Sequence, residues 1–276
     1  MENGKVKHIY LCEDSIEGIF TAIYTAWASG YGHANNYIQI NDEREMQLFS
    51  EYIIVVPDPT LSMKVTNSIR NKIGHDAYRF VYHMVVSNVK EKADIIYRFM
   101  ILGFHYGPKV MDYLSNEYVS AICKTYRKVN FEAHHYKGFV RFSELSSHIM
   151  CSRIRPDHNI LTLIAPHFAD RLPLENWMII DEGRQIAAVH PANKAWFLVS
   201  TNSMDNSLLT AESEKEKRMK DVWNTFVDSI SIKERENLKL QRNMCPLRYR
   251  EFMPEFQKEN TEGEDKYGLE HREVGF

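Results

Sequence analysis

The sequence is poor in the features that indicate a bound cofactor or a membrane. Its 276 residues include four cysteines, and no two of them form the closely spaced pair that zinc and iron–sulfur sites use. No run approaches the roughly 18 apolar residues that a membrane-spanning helix needs. The polar start, Met1–Lys7, is not followed by the apolar core of a signal peptide. We therefore expect no cofactor, no resident metal, no membrane association and a cytoplasmic location.

Motifs of self-sufficient catalysis are missing as well. The sequence has no GxGxxG, no P-loop, no GxSxG and no HExxH. A net charge of −3 argues against a wholly basic surface, although a local basic strip can lie on a near-neutral protein. The composition, with 44% hydrophobic and 26% charged residues, is that of an ordinary globular protein. Local clusters of residues must therefore carry the functional argument.

The spacing of apolar residues predicts an α+β fold in three parts. Residues 1–130 begin with a strand–helix unit, made of a strand (His8–Cys12), a helix that ends at Gly30 and Gly32 and a short strand (Tyr37–Ile40), and continue as antiparallel helices. Residues 131–256 form a central antiparallel β-sheet with helices, followed by C-terminal helices. Three short strands of this sheet, separated by turn residues, are Trp177–Ile180, Ile186–Val189 and Trp196–Val199. Residues 257–276 are polar and acidic, and we expect this tail to fray.

The start of the central part is predicted to be extended. Gly138–Phe142 alternates apolar and polar positions as a strand does, and Ile149–Ile154 follows as a candidate hairpin partner. On an extended chain, Glu132 and His134 would project from the same side. Such a pair could bind a metal or transfer a proton, whereas the alternative is a structural hydrogen bond.

Histidines and carboxylates cluster in this central part. His158 and His167 flank a predicted short helix, where they could line a pocket or cap the helix ends. If the side chains converge, they could act as an acid–base set. The candidate catalytic residues are Glu132, His134, His158, His167 and Asp181.

A basic strip lies further along the chain. Lys233–Arg250 holds six basic and two acidic residues, whereas Glu251–Phe276 holds eight acidic and three basic ones. Arg and Lys interleaved with amide side chains suit contacts to phosphate oxygens, but the strip could instead pair with the acidic tail. The candidate nucleic-acid-binding residues are Arg141, Arg171, Lys233, Arg235, Asn237, Lys239, Arg242, Arg248 and Tyr249. Among the aromatic residues, Phe168, Trp177 and Tyr249 could stack on a base or belong to the core.

Several runs together resemble a bacterial family of "probable DNA metabolism proteins". They are Glu132–His134, Lys137–Phe142, Pro156–Leu161, Ala165–Arg171, Trp177–Asp181, Val222–Phe226, Ile232–Asn237 and Met244–Tyr249. The domain of that family also occurs joined to uracil-DNA glycosylase-like domains. Its members are typically encoded beside a radical-SAM protein assigned to DNA modification or repair. The resemblance thus implies a pathway and a partner, the radical-SAM iron–sulfur protein, but no reaction.

Three functions follow as expectations. The first is an accessory protein that binds DNA or a damaged nucleotide beside the radical-SAM enzyme, which would hold the iron–sulfur cluster. The second is an enzyme acting on a nucleobase or its glycosidic bond through the acid–base set, which requires those side chains to lie within hydrogen-bond reach. The third is an interaction scaffold without DNA contact, using the acidic tail and Glu212–Lys220 as partner surfaces. The sequence leaves the oligomeric state open.

Overall fold

The computed structural model describes residues 6–41, 48–202 and 211–256, so the expected acidic tail (257–276) lies outside the described residues. The chain is a mixed α+β protein, which confirms the predicted class. It divides into two compact units. The first unit runs to Glu132 and also includes Asp157–Asn159, and the second consists of Ala133–Pro156 and the chain from Ile160 onwards.

The first unit is built on a three-stranded parallel sheet in the order β2-β1-β3. Its elements in chain order are β1 (Lys7–Cys12), α1 (Ile16–Ala28), β2 (Asn36–Ile40), β3 (Ser50–Ile54), α2 (Pro59–Lys72), α3 (His75–Val85), α4 (Lys92–Tyr106), a 3-10 turn (Gly107–Asp112) and the first part of α5 (Glu117–Phe139). The part of α5 from Ala133 onwards belongs to the second unit. The expected opening strand, helix and strand are all present. The helices that follow supply most of the hydrophobic core of this unit.

Helix α1 shows why the chain turns sharply after β1. The Ser15 side chain caps the helix by accepting a hydrogen bond from the Gly18 amide at 2.9 Å. A Cβ atom on Gly18 would lie 2.6 Å from the Glu13 carbonyl oxygen, so only glycine fits there. Beyond this turn, Phe20 and Ile23 are almost completely buried, which fixes the helix on the sheet.

The second unit contains a five-stranded sheet in the order β4-β5-β6-β7-β8. Its elements are β4 (Ser143–Glu144), β5 (Met150–Ile154), α6 (Leu161–Arg171), β6 (Trp177–Asp181), β7 (Ile186–His190), β8 (Phe197–Ser200), α7 (Glu214–Ile230), a 3-10 turn (Lys233–Arg235), α8 (Leu238–Met244) and a second 3-10 turn (Leu247–Tyr249). Three of the four strand pairings are antiparallel, as expected for this sheet. The pairing of β5 with β6 is parallel and differs from that expectation. The parallel pair arises because α6 connects β5 to β6 as a crossover.

The predictions of a strand at Gly138–Phe142 and of an extended chain at Glu132 and His134 are wrong. Helix α5 continues to Phe139, so Glu132 and His134 lie on a helix and do not share one side of a strand. Val129, Ala133 and Tyr136 are buried at the spacing of one helical face, and this burial outweighs the short alternating pattern. Only the two residues of β4 remain to pair with β5.

The C-terminal helices bury little. Within the described residues, α7 and α8 contain no buried side chain. Helix α7 nevertheless carries one continuous row of large apolar residues, here called the apolar stripe of α7. Its members are Met219, Val222, Trp223, Phe226 and Ile230, each between 44% and 61% exposed. An amphipathic helix with its apolar face in water has a surface to offer a partner.

No helix in the described part of the chain combines the length and the apolar character that crossing a membrane demands.

Candidate functional site

Two of the predicted acid–base residues meet in the first unit. Glu132 is 2% exposed, and its two carboxylate oxygens accept hydrogen bonds from the backbone amides of Asp157 and His158, both at 2.9 Å. The Nδ1 atom of His158 accepts from the Asn88 amide at 3.2 Å. Because Nδ1 accepts, this geometry places the imidazole proton on Nε2. Glu132 therefore anchors the segment Asp157–Asn159 onto the first unit.

An ion pair that the sequence did not reveal joins a buried lysine to a half-exposed aspartate. Lys92 is 4% exposed, and its Nζ atom lies 2.7 Å from Asp14 Oδ1 and donates to the Ser87 carbonyl at 2.6 Å. Lys92, at the start of α4, thus joins Asp14 to the loop between α3 and α4, and the Asn88 amide of this loop donates to His158. The carboxyl ends of parallel strands commonly carry functional residues. In the sequence, the position of Asp14 shortly after the buried strand β1 could therefore have pointed to this residue.

Asp181, in the second unit, is committed to a turn. It is fully buried, and its Oδ1 atom accepts from the amides of Gly183 and Arg184 at 3.0 and 3.2 Å. Its Oδ2 atom accepts from Arg184 Nη1 at 3.0 Å, and the same nitrogen donates to the Pro156 carbonyl at 3.0 Å. These contacts stabilise the turn between β6 and β7, so the role of Asp181 in this structure is structural.

The remaining two histidines of the predicted set also belong to the second unit. His134 is exposed on α5, and His167 is half-buried on α6, with its ring 5.1 Å from that of Phe168. The structure therefore gives anchoring contacts to Glu132, His158 and Asp181, and surface or half-buried positions to the two histidines. The enzyme hypothesis stays a prediction.

The basic strip contains three exposed cations that carry no ion pair with any carboxylate of the described chain. They are Arg235, Lys239 and Arg242. Asn237 caps α8 by accepting from the Leu240 amide at 2.9 Å, so its side chain has a structural partner. The Lys233 side chain lies outside the described residues. Because these three cations lie close together along the chain, they form a positively charged surface that suits contacts to phosphate oxygens.

The other predicted nucleic-acid contacts differ in exposure. Arg171 is exposed at the end of α6. Arg248 is exposed and donates to the Tyr249 hydroxyl at 2.6 Å, with its guanidinium 4.7 Å from the centre of that ring. Tyr249 itself is 4% exposed and packs against the rings of Tyr136 and Phe139. Phe168 and Trp177 are buried too, so these three rings serve as core in this structure.

Arg141 lines a cleft of about 160 Å³ in the second unit. Its guanidinium contacts Glu255 Oε1 through Nη2 at 2.9 Å and through Nε at 3.2 Å. Two further cations that the sequence did not single out line the same cleft, Arg153 paired with Glu182 and Lys220 paired with Glu212. Each positive charge is therefore neutralised by its own carboxylate, and an anion would have to displace one of them.

A cysteine in this cleft is a poor nucleophile. Burial raises the pKa of Cys151 to about 11, so its thiol keeps its proton at neutral pH. Across the described residues, no group of three or more His, Cys, Asp and Glu side chains is arranged to hold a metal ion.

Comparison with known proteins gives a family match that includes most of the residues described above. The model of a family described as a domain of unknown function, DUF4130, matches residues 90–255, which is more than half of the chain. The match covers Glu132, the Arg141 cleft and the basic strip. No curated protein matches the sequence.

Proposed function

We propose, from the premise that this chain belongs to the DUF4130 family, that it is an accessory protein of DNA metabolism. It binds DNA or a damaged nucleotide and works beside a radical-SAM iron–sulfur protein. The observation that carries this proposal is the exposed set of Arg235, Lys239 and Arg242, which no described carboxylate neutralises. The resemblance of the sequence to DNA-metabolism proteins supports the same reading.

The physical basis of the DNA contact is phosphate neutralisation. A cation that contacts a DNA phosphate releases a condensed counterion, so affinity falls as salt rises, by about 0.9 in logarithmic slope per contact. Side chains already paired with a carboxylate gain less from a phosphate, because the existing pair must first be broken. This difference favours the basic strip over the Arg141 cleft as the DNA contact.

The proposal also requires a surface for the protein partner. The apolar stripe of α7 supports this part, because large apolar residues in a row suit a complementary apolar surface. The charged residues of this chain then serve the nucleic acid, and the partner supplies the chemistry.

The test is binding of the purified chain to single- and double-stranded DNA across a salt series, with and without Arg235→Ala/Arg242→Ala. We expect the slope of log affinity against log salt to fall by about two units in the double variant on duplex DNA. Arg127→Ala/Lys128→Ala, on the exposed side of α5, removes the same charge and is the matched control. Equal slopes in the two double variants, or no binding at low salt, would contradict the proposal.

Different experimental results would favour the two alternative functions, the enzyme and the interaction scaffold. Release of a base from DNA by the isolated chain would favour the enzyme hypothesis, and its loss in His158→Gln would locate the chemistry. An absence of DNA affinity at physiological salt, combined with a stable complex with the radical-SAM protein, would favour the scaffold.

A further inference from the structure

The first unit contains a groove that none of the functions above uses. It lies between α1, α2 and α4 and has a volume of about 350 Å³. Its wall is mainly apolar, and three aromatic and three polar side chains contribute to it, namely Tyr24, Trp27, Phe104, Lys64, Ser68 and Lys72. A mostly apolar concavity of this size with a few polar groups is the usual form of a small-ligand site.

The aromatic wall leaves a ring accessible. Trp27 is 39% exposed although it lies among core helices. The Phe104 ring supports it edge-to-face, with the centroids 5.2 Å apart and the planes at 86°. The rings of His33 and Tyr97 also contact the indole, with centroids 4.4 and 6.2 Å away. A planar ligand can stack on the part of the indole that these neighbours leave exposed.

The polar wall is cationic. Lys64, Ser68 and Lys72 repeat every four residues along α2, so they share one helical face. The Lys64 Nζ atom lies 5.6 Å from the Tyr24 ring centre, and the Lys72 Nζ atom lies 5.7 Å from that of Phe104. Both lysines are exposed, and no carboxylate of the described chain forms an ion pair with either. The groove therefore presents two cations beside aromatic surface.

We propose that this groove binds a nucleotide, with the base stacked on Trp27 and the phosphate held by Lys64 or Lys72. A planar ring suits the aromatic wall, and an anionic group suits the two lysines, whereas a cationic or uncharged ligand would bring no opposite charge to them. The nucleotide comes either from a free deoxynucleoside monophosphate or from one unit of single-stranded DNA. The inference does not depend on the basic strip, which belongs to the second unit.

The test follows tryptophan fluorescence of the full chain during titration. The probes are deoxyadenosine monophosphate, deoxyadenosine, a short oligodeoxythymidylate and hexanoate. We expect saturable quenching by the monophosphate, by the oligonucleotide or by both, and little effect of hexanoate. Quenching by the monophosphate identifies a free nucleotide, and quenching by the oligonucleotide alone identifies a strand.

Two variants locate the binding. Trp27→Phe keeps an aromatic ring and should abolish the quenching signal. Lys64→Ala/Lys72→Ala replaces exposed side chains, so the fold should persist, and nucleotide affinity should fall about tenfold or more through loss of the charge-assisted contacts. Binding of deoxyadenosine, which lacks the phosphate, should change little in this variant.

Several results would overturn the proposal. These are an absence of quenching by either nucleotide probe, equal binding of hexanoate, or unchanged nucleotide affinity in Lys64→Ala/Lys72→Ala. Loss of binding in Arg235→Ala/Arg242→Ala with retention in the lysine variant would overturn the groove and leave the function proposed for the basic strip intact. Loss in the lysine variant alone supports the groove independently of that function.

Discussion

Helices α1 and α7 have the same apolar periodicity and opposite environments. In α1, Ile19, Phe20 and Ile23 are at most 1% exposed, because the helix packs against β1, β2, α2 and α3. In α7, Trp223 is the least exposed member of the apolar stripe, at 44%. The pattern along the chain thus predicts a helix in both places. It does not tell what covers the apolar face, since the neighbouring elements decide that.

The comparison implies different sources of stability. The first unit gains its free energy from burial of apolar area in the core that includes α1. An isolated helix of the length of α7 is marginal in water, so its stripe contributes little until another surface covers it. Three experiments test this contrast.

The largest effect is expected from truncating matched aromatic residues. Phe20→Ala should lower the free energy of unfolding by about 3–5 kcal/mol, because it removes a fully buried ring and leaves a cavity. Phe226→Ala, in the apolar stripe of α7, should stay within about 0.5 kcal/mol. Urea unfolding followed by circular dichroism measures both. A large loss of unfolding free energy in Phe226→Ala would show that the apolar stripe of α7 is already covered in the isolated chain, and would contradict the contrast between the two helices.

An intermediate effect is expected for buried and exposed carboxylates. Glu132→Ala leaves the amides of Asp157 and His158 without their acceptor and should cost about 2–3 kcal/mol of unfolding free energy. Glu214→Ala removes an exposed carboxylate of α7 paired with Lys217, and we expect no measurable loss.

Hydrogen exchange gives a second readout for the same pair of variants. The His158 amide should exchange faster in Glu132→Ala and stay protected in Glu214→Ala. An unchanged rate in Glu132→Ala would mean that the carboxylate does not hold the loop.

The smallest effect is expected in the pH dependence. Burial lowers the pKa of His83 below its ordinary value of 6.5, and the nearby Arg79 charge lowers it further, against the hydrogen bond from Nδ1 to the Arg79 carbonyl. The folded protein therefore binds this proton more weakly than the unfolded chain. The stabilisation is complete above about pH 6.5 and is lost as the pH falls toward the lowered value.

His83→Gln should accordingly flatten the loss of stability below pH 6.5. Urea unfolding of the wild type and this variant at a series of pH values measures the change. Parallel curves for the wild type and His83→Gln would contradict the expectation.

The elements with long regular patterns could be predicted from the sequence. Strand β1 follows from a short apolar run, and α1 from apolar residues at helical spacing with Gly30 and Gly32 after it. The three strands β6, β7 and β8 follow from short apolar segments separated by turn residues. Local sequence suffices in these cases because each element's own side chains decide its conformation.

The site residues were harder to place because their partners are distant along the chain. The pairing of Asp14 with Lys92 and that of Arg153 with Glu182 join residues far apart in sequence, and no local spacing reports them. The strand predicted at Gly138–Phe142 failed because its short alternating pattern weighs less than the buried helical face that ends at Tyr136. Exposure could be inferred for the basic strip, since charged residues there outnumber apolar ones.

The return of Asp157–Asn159 to the first unit has a consequence for synthesis on the ribosome. A nascent chain that has emerged only as far as Pro156 holds all the strands of the first unit, yet it still lacks the Asp157 and His158 amides that donate to Glu132 and the His158 ring that accepts from Asn88. The first unit is thus completed only after the first segment of the second, Ala133–Pro156, has been made. Maturation of the two units is interleaved in time, although domains usually fold one after another from the N-terminus.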